Sequence, residues 1–409
     1  MLLTEISCIA YKVFKDPVRL ELRPLTVLVG KNNSGKSTLA RLPVLLAHAL
    51  STRAIDLLDL EVGSLSFGAS FLDLVHNRLQ HGSLAFGARL TDGERRLELD
   101  VTVQNVSHLD RSEPVVSAFR LLGGGVDLEL DWQRSPEKPP RYEGVGPVEF
   151  RGLLPHDPTL PEGTRTALDV WRRRFDAFFQ QISHLGPFRP PVPRFSSKAP
   201  QLPDGLGDAG ALVPQWLEAE DGLLDLVSAW YRENLDGWSV DLERSWKAFE
   251  CVLRRGKAHI PFADAGEGMS QVLPVVVQQL RHRVRTPAAC LDIVEHPELH
   301  LHPAAHAGLA DLYVRSVKEC PGVRLIVETH SETFLLRLRR RIAEGELDSS
   351  AVILYWVEEL SGDRGSAVRR IEILPDGEVS DWPAGVFSES YDEVRAMRRA
   401  ARKRAEVPA

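Results

Sequence analysis

The most specific chemistry in the chain lies in nine consecutive residues, Gly30 to Thr38, reading GKNNSGKST. Gly30 to Ser37 match the phosphate-loop spacing G-x-x-x-x-G-K-[ST] in full, and each residue type has a task. Gly35 and the loop amides approach phosphate oxygens closely, Lys36 reaches the terminal phosphates, and Ser37 offers a hydroxyl to magnesium. A helix starting here would turn its positive end toward the anion. Gly30, Asn32, Asn33, Ser34, Gly35, Lys36, Ser37 and Thr38 are therefore the candidate residues for a nucleoside triphosphate.

Two later segments carry matching chemistry. The apolar run CLDIV ends at Glu295 and is followed by HPELHLHP. A carboxylate at the end of a parallel strand beside a phosphate loop can hold Mg2+, because ligands of open parallel sheets gather at the carboxyl ends of strands. Glu295, with Ser37, is the candidate metal residue; Asp292 is the weaker choice, being set among apolar neighbours. The segment LIVETHS then delivers His330 from a strand end to hydrogen-bond a terminal phosphate.

The elements that must position these residues follow from hydropathy. Leu2–Tyr11, Val18–Leu22 and Leu25–Val29 read as strands, and Leu39–Leu50 has helical apolar spacing, so the loop sits between a strand and a helix. From about Gly82 to Trp132 the text alternates as in an antiparallel meander. Residues 134–165, rich in Pro, Gly and charge, read as a long surface loop. The spacing predicts helices over Ala167–Ile182, Leu223–Leu235, Ser245–Leu253, Ser270–His282, Leu309–Val317 and Glu332–Ile342. Ala288–Val294 and Val323–Val327 read as buried strands, and Val352–Trp356 with Ala367–Leu374 as a closing pair. Strands alternating with helices in this way indicate a largely parallel sheet. No apolar heptads run over three repeats, so no long coiled coil is expected.

These motifs, in this order, resemble the ABC-type ATPase head shared by the SMC, RecF and OLD proteins, in which the head is split by an insertion. GKNNSGKST is similar to its Walker A motif, VEHPELHLHP to its Walker B and D-loop region, and THS to its switch histidine, which carries over to His330. Gly266-Glu267-Gly268-Met269-Ser270-Gln271 resembles its signature motif, adding Gly268, Ser270 and Gln271 to the nucleotide-contacting set. More narrowly, HLGPFRPPVPR (184–194) and DGEVSDWPAGVF (376–387) resemble standalone bacterial OLD-related ATP-binding proteins ending in a Trp-Pro-x-Gly-aromatic segment. The resemblance covers roughly residues 1–80 and 184–390 and implies an α/β fold, an ABC-type P-loop ATPase head. Its sheet would be mixed and largely parallel, with N-terminal antiparallel strands and an inserted α+β region. The implied division is 1–80 for the first half of the head, 81–255 for the insertion, 256–375 for the second half and 376–409 for a tail.

One departure matters. In related heads a catalytic glutamate follows the acidic magnesium residue, and here that position is His296. A histidine orients water or acts as a base near neutral pH but polarises water less than a carboxylate, so slow hydrolysis is expected; Glu298, two residues on, is a candidate substitute base, the alternative for it being a structural role at the turn. His296, His300, His302 and His306 invite a zinc reading. Against it, related HLHP segments carry such spacing without metal, and neither HExxH nor Cys partners accompany it. The arginines at 337, 339, 340 and 341 and the tail residues Arg395, Arg398, Arg399, Arg402, Lys403 and Arg404 could touch a phosphate backbone. Charge runs on terminal helices are more often solvated faces. No nuclease pattern follows the head.

Composition restricts the rest. The 409 residues are 43% hydrophobic and 26% charged, with 50 Lys and Arg against 57 Asp and Glu, so no global basic field favours nucleic acid. Four scattered cysteines without a CxxC pair exclude a disulfide framework and a zinc ribbon. No segment has the roughly 20 apolar residues of a membrane helix, and a cytoplasmic location is expected. The resemblance implies ATP and Mg2+ as cofactors, a homodimer closing around ATP or a higher oligomer, and a separately encoded effector such as a nuclease, plausible in anti-phage defence, or DNA or RNA. The alternatives are an ATP-holding structural module without turnover and a RecF-like DNA-repair ATPase.

Overall fold

The computed structural model describes residues 1–409 apart from 109–110, 135–137, 200, 203–204, 288, 363, 381, 383–394 and 399–409. Three N-terminal strands, β1 (Leu2–Ile9), β2 (Val18–Glu21) and β3 (Leu25–Gly30), lead into helix α1 (Lys36–Ser51). A meander follows: β4 (Ser83–Asp92), β5 (Arg95–His108), β6 (Arg111–Gly123) and β7 (Val126–Asp131). It joins the first two strands in one antiparallel sheet, ordered β2-β1-β4-β5-β6-β7. A domain boundary at residue 81 would therefore pass between hydrogen-bonded strands of a single sheet, since β1 pairs with β4 from Leu2 to Ile9.

The remaining elements are α2 (Glu162–Phe179), β8 (Ile182–Leu185), α3 (Val213–Ala219), α4 (Leu223–Asn234), β9 (Ser239–Arg244), β10 (Ala248–Arg255), β11 (Ala258–Pro261) and α5 (Glu267–Val284). Then come β12 (Cys290–Glu295), α6 (Pro303–Glu319), β13 (Val323–Glu328), α7 (Glu332–Ala343), β14 (Val352–Glu359) and β15 (Ser366–Ile371). The central sheet runs β8-β12-β13-β3-β14-β15. Its first five strands are parallel, and only β15 pairs antiparallel.

Helical spacing was misleading over Ser245–Leu253. Phe249, Cys251 and Leu253 are buried at alternate positions, and the segment is β10, zipped antiparallel to β9 from Ser239 to Arg244. Residues 134–165 are also more ordered than their composition suggests. Two short strand pairs lie within them, Tyr142, Val148, Leu153 and Leu154 are buried, and α2 begins at Glu162. A few apolar anchors spaced among charges carry too little periodicity to show in the sequence.

The strands of the central sheet are apolar throughout because both faces are covered. In β3, Leu28 enters a core shared with α1, α2 and the antiparallel sheet, whereas Leu25, Val27 and Val29 enter the opposite core beneath α3 to α7. Among the described residues no helix is long and apolar enough to cross a membrane, and no extended coiled coil is present.

Candidate nucleotide site

The tip of β3 creates the phosphate loop. Gly30 has φ +153°, and a Cβ there would stand 2.1 Å from the Val357 carbonyl oxygen on β14. Gly35 has φ +103°, and a Cβ would meet Val13 at 2.6 Å and Phe14 at 2.7 Å. Both positions thus need glycine, for conformation and for space. Lys31, Asn32 and Asn33 are exposed, Ser34 is buried and its hydroxyl has no partner. Helix α1 begins at Lys36 with no side-chain cap and no acidic residue in its first turn, so its leading amides are open to an anion.

Lys36 is 3% exposed, and its Nζ donates to the Lys31 carbonyl at 2.8 Å while lying 3.8 Å from Glu328. Burial lowers its pKa, and the charge of Glu328 opposes that shift. Ser37 and Thr38 follow at the half-buried start of the helix.

Strand order decides which carboxylate faces the loop. Strand β13, not β12, lies directly beside β3, and Glu295 and Glu328 are register partners at the two neighbouring tips. Each is 1% exposed. Glu295 is fully engaged: Arg41 Nε and Nη2 donate to its two oxygens at 2.6 Å each, and His184 Nε2 lies 2.7 Å from Oε1. Burial alone would raise its pKa, but the hydrogen bonds from His184 and Arg41 hold it down at about 2. Glu328 is raised instead, by burial and by the charge of Glu295, against the pull of Ser37, His296 and Lys36. Its Oε2 has no hydrogen-bond partner. Asp292 lies deep within β12, bound by His282 at 2.7 Å and Gln279 at 3.1 Å, remote in register from the strand tip.

His296 follows Glu295 in a left-handed conformation, φ +48°. Its backbone N–H donates to the Glu328 carbonyl, and its Nε2 lies 3.4 Å from Glu328 Oε1. The rings of His296 and His330 stack with centroids 5.0 Å apart at 14°. Although His330 keeps an exposed edge, the desolvation of its ring against the loop, aided by the charges of Lys36 and His296, lowers its pKa to about 4. Glu298 accepts the His330 backbone N–H at 2.8 Å through Oε1, with Oε2 unpartnered. It therefore props the segment that carries His330.

The other histidines of this stretch are dispersed. His302 caps α6, His306 contacts Ser331, and His300 lies 3.4 Å from Glu267. The spacing that suggests zinc in the sequence does not bring these four rings together.

The signature residues open α5. Ser270 is 8% exposed and its Oγ has no hydrogen-bond partner. A Cβ on Gly268 would stand 2.4 Å from the His300 carbonyl oxygen. Gln271 is occupied: its amide exchanges hydrogen bonds with the backbone N–H and carbonyl of Arg189. Arg189, 3% exposed, donates in turn to the carbonyls of Gln271, Glu295 and His296, stapling the signature helix to the tip of β12. Among the described residues no hydrogen bond or ion pair joins 266–271 to 30–38.

Sequence reasoning missed Arg41, His184, Arg189 and Glu328. Three of these lie within segments singled out as motifs, yet their roles depend on which strand tips become neighbours. Arg41 had no signal beyond falling on the helix after the loop. The arginines of α7 are mostly committed to acids: Arg337 and Arg341 to Asp311, Arg340 and Arg341 to Glu344, Arg339 to Glu378. Of the basic tail only 395–398 fall within the described residues, and the Trp-Pro-x-Gly-aromatic segment lies largely outside them.

A protein-family profile described as "AAA domain, putative AbiEii toxin, Type IV TA system" matches residues 25–337. Among solved structures, the SmcHead bound to the C-winged helix domain of ScpA is 12% identical, with 91% of this chain and 99% of that chain covered at a TM-score of 0.53. The SMC head domain from Thermotoga maritima is 12% identical, covering 91% of this chain and 100% of that one, at a TM-score of 0.47. No curated protein sequence matches. The first of these solved structures shows the fold, that of an SMC head domain.

Proposed function

The chain belongs to the AAA-domain family whose profile spans residues 25–337, and from that premise we propose that it is an ATP-binding switch that hydrolyses ATP slowly. The observation that carries this reading is the convergence of Lys36, Ser37, Glu328, Glu295 and His330 on adjoining strand tips around an uncapped helix N-terminus. The triphosphate would lie on the first amides of α1, with Lys36 leaving the Lys31 carbonyl to meet it. Neutral His330 would donate to the terminal phosphate. Bound Mg2+ supplies charge neutralisation; Ser37 and Glu328, whose Oε2 is unpartnered, fit it directly, and Glu295, held by Arg41 and His184, fits at one remove.

Two heads would close around two ATP molecules, each phosphate loop meeting Ser270 of the other copy. The unpartnered Ser270 hydroxyl at the start of an 18-residue helix supports this, as it has no bond to the loop of its own chain. Closure would control a separately encoded effector. The family description, a toxin of a type IV toxin–antitoxin system, supports a defence setting, and the ScpA domain bound to the SMC head supports docking of a partner. The committed arginines of α7 give no support to a RecF-like grip on DNA.

A second reading, ATP as a held ligand without turnover, is favoured by His296 in place of a glutamate. Sedimentation of the full chain with a non-hydrolysable ATP analogue and Mg2+, paired with phosphate release, tests both. The switch predicts a nucleotide-dependent dimer in the wild type that Ser270→Arg abolishes. Phosphate release no faster than in Lys36→Ala selects the second reading, and a wild type that binds no ATP overturns both.

A further inference from the structure

The four histidines grouped in sequence disperse, but the fold builds a different cluster from separate strand tips. His296, Glu328 and His330 each offer a ligand atom, and the three atoms lie within 4.8 Å of one another. His296 Nε2 and Glu328 Oε1 are 3.4 Å apart. Tetrahedral coordination at about 2.0–2.1 Å from each donor requires ligand atoms about 3.4 Å apart, so one edge of the polyhedron is already formed.

Three further observations point to a ligand. Glu328, 1% exposed, carries an oxygen without a hydrogen-bond partner, Oε2, beside the Oε1 that forms that edge. A buried carboxylate oxygen left in this way is costly unless something binds it. His296 adopts a left-handed backbone, φ +48°, which costs free energy in a non-glycine residue and directs its ring back over Glu328. The third is composition: two imidazoles and a single carboxylate. Mg2+ prefers oxygen ligands and keeps its waters, whereas imidazole suits zinc, iron, cobalt and nickel.

We propose that the nucleotide-free head binds one transition-metal dication, Zn2+ by preference, through His296 Nε2, Glu328 and a ring nitrogen of His330. The site opens to solvent on the histidine side, since His330 is exposed and His296 half-buried, and this leaves room for water as a fourth ligand. The ion stands beside Lys36 Nζ, which lies 3.8 Å from Glu328. Metal and terminal phosphate therefore meet at one place, and zinc changes ATP affinity rather than serving as a remote structural ion.

The test uses full-length protein stripped with chelator, dialysed and kept free of nucleotide. Calorimetry with ZnCl2 and visible absorption with CoCl2 should show one saturable site per chain, with the stronger cobalt bands of nitrogen-containing low-coordinate geometry. Glu328→Gln, His296→Ala and His330→Ala should each weaken zinc by at least about tenfold, a loss that even outer-shell changes cause at metal sites. His300→Ala, outside the cluster, should bind like the wild type. Circular dichroism identifies any variant that fails to fold, and the others then decide. Lys36→Ala separates this proposal from the nucleotide reading: it should bind ATP at least about tenfold more weakly and keep zinc, because removing a neighbouring cation favours the ion. Absence of saturable binding in the wild type, or affinity within about twofold in all three cluster variants, overturns the site whatever ATP does.

Discussion

Arg41 on α1 grips Glu295 at the tip of β12 with two hydrogen bonds of 2.6 Å, fastening the helix behind the phosphate loop to a strand 254 residues away in sequence. Because β13 lies between β12 and β3, this clamp ties the helix of one motif to the strand of another across an intervening strand. It also engages one of two adjacent buried carboxylates, leaving the other, Glu328, to face Lys36.

The clamp should matter for stability. Arg41→Ala leaves Glu295 buried with only His184, and breaking a buried pair in this way costs about 3–5 kcal/mol. The folded pKa of about 2 is below the ordinary 4.5, so the stabilisation is complete above pH 4.5 and is lost as pH falls toward 2. Urea unfolding at pH 7 and pH 3 should show a smaller difference between wild type and variant at pH 3. A cost below about 1 kcal/mol at pH 7 would show that His184 alone satisfies the carboxylate.

Lys36→Ala should reduce ATP affinity by about tenfold to 150-fold, the equivalent of about 1.5–3 kcal/mol for one lost hydrogen bond to a charged group. Calorimetric titration measures it. Equal affinity in the two proteins would remove the loop from the nucleotide site.

His330 gives a pH signature. Its folded pKa of about 4 lies below the ordinary 6.5, so its contribution to stability is complete above pH 6.5 and declines as pH falls to 4. Replacing it with Asn should flatten the stability profile in that window, and an NMR titration of the ring should have its midpoint near 4. A midpoint near 6.5 would mean that the ring is freely hydrated.

Turnover should fall below the roughly 1–1000 per second common among enzymes, and His296→Glu should raise it by placing a carboxylate where water is to be polarised. Glu298→Ala should lower turnover by a different route, since Glu298 accepts the His330 backbone N–H rather than facing the phosphates, and Glu298→Gln, which keeps an accepting oxygen, should lower it little. Phosphate release at saturating ATP and Mg2+ checks both. A Glu298→Gln rate of zero with an intact His330 titration would instead mark Glu298 as the base.

The loop after Leu25–Gly30, its flanking strand and helix, the strand that ends before His330 and the helix that opens at Glu267 were legible in the sequence because each is a contiguous stretch whose residue types act through local backbone geometry. Gly30 and Gly35 declare themselves by spacing alone, and their positive φ values follow from the turn they make. The parallel sheet was legible for a similar reason: apolar runs such as Leu25–Val29 and Val323–Val327 need cover on both faces. What only the tertiary structure decided is which of these stretches touch. Glu295 and Glu328 both end buried strands in the sequence, and nothing local tells them apart. The order β12-β13-β3 sets one beside the loop and lets Arg41 and His184 engage the other. The same order scatters the four sequence-clustered histidines and unites His296 with Glu328 and His330, because hydrogen-bonded strand tips lie a few ångströms apart however far separated they are along the chain.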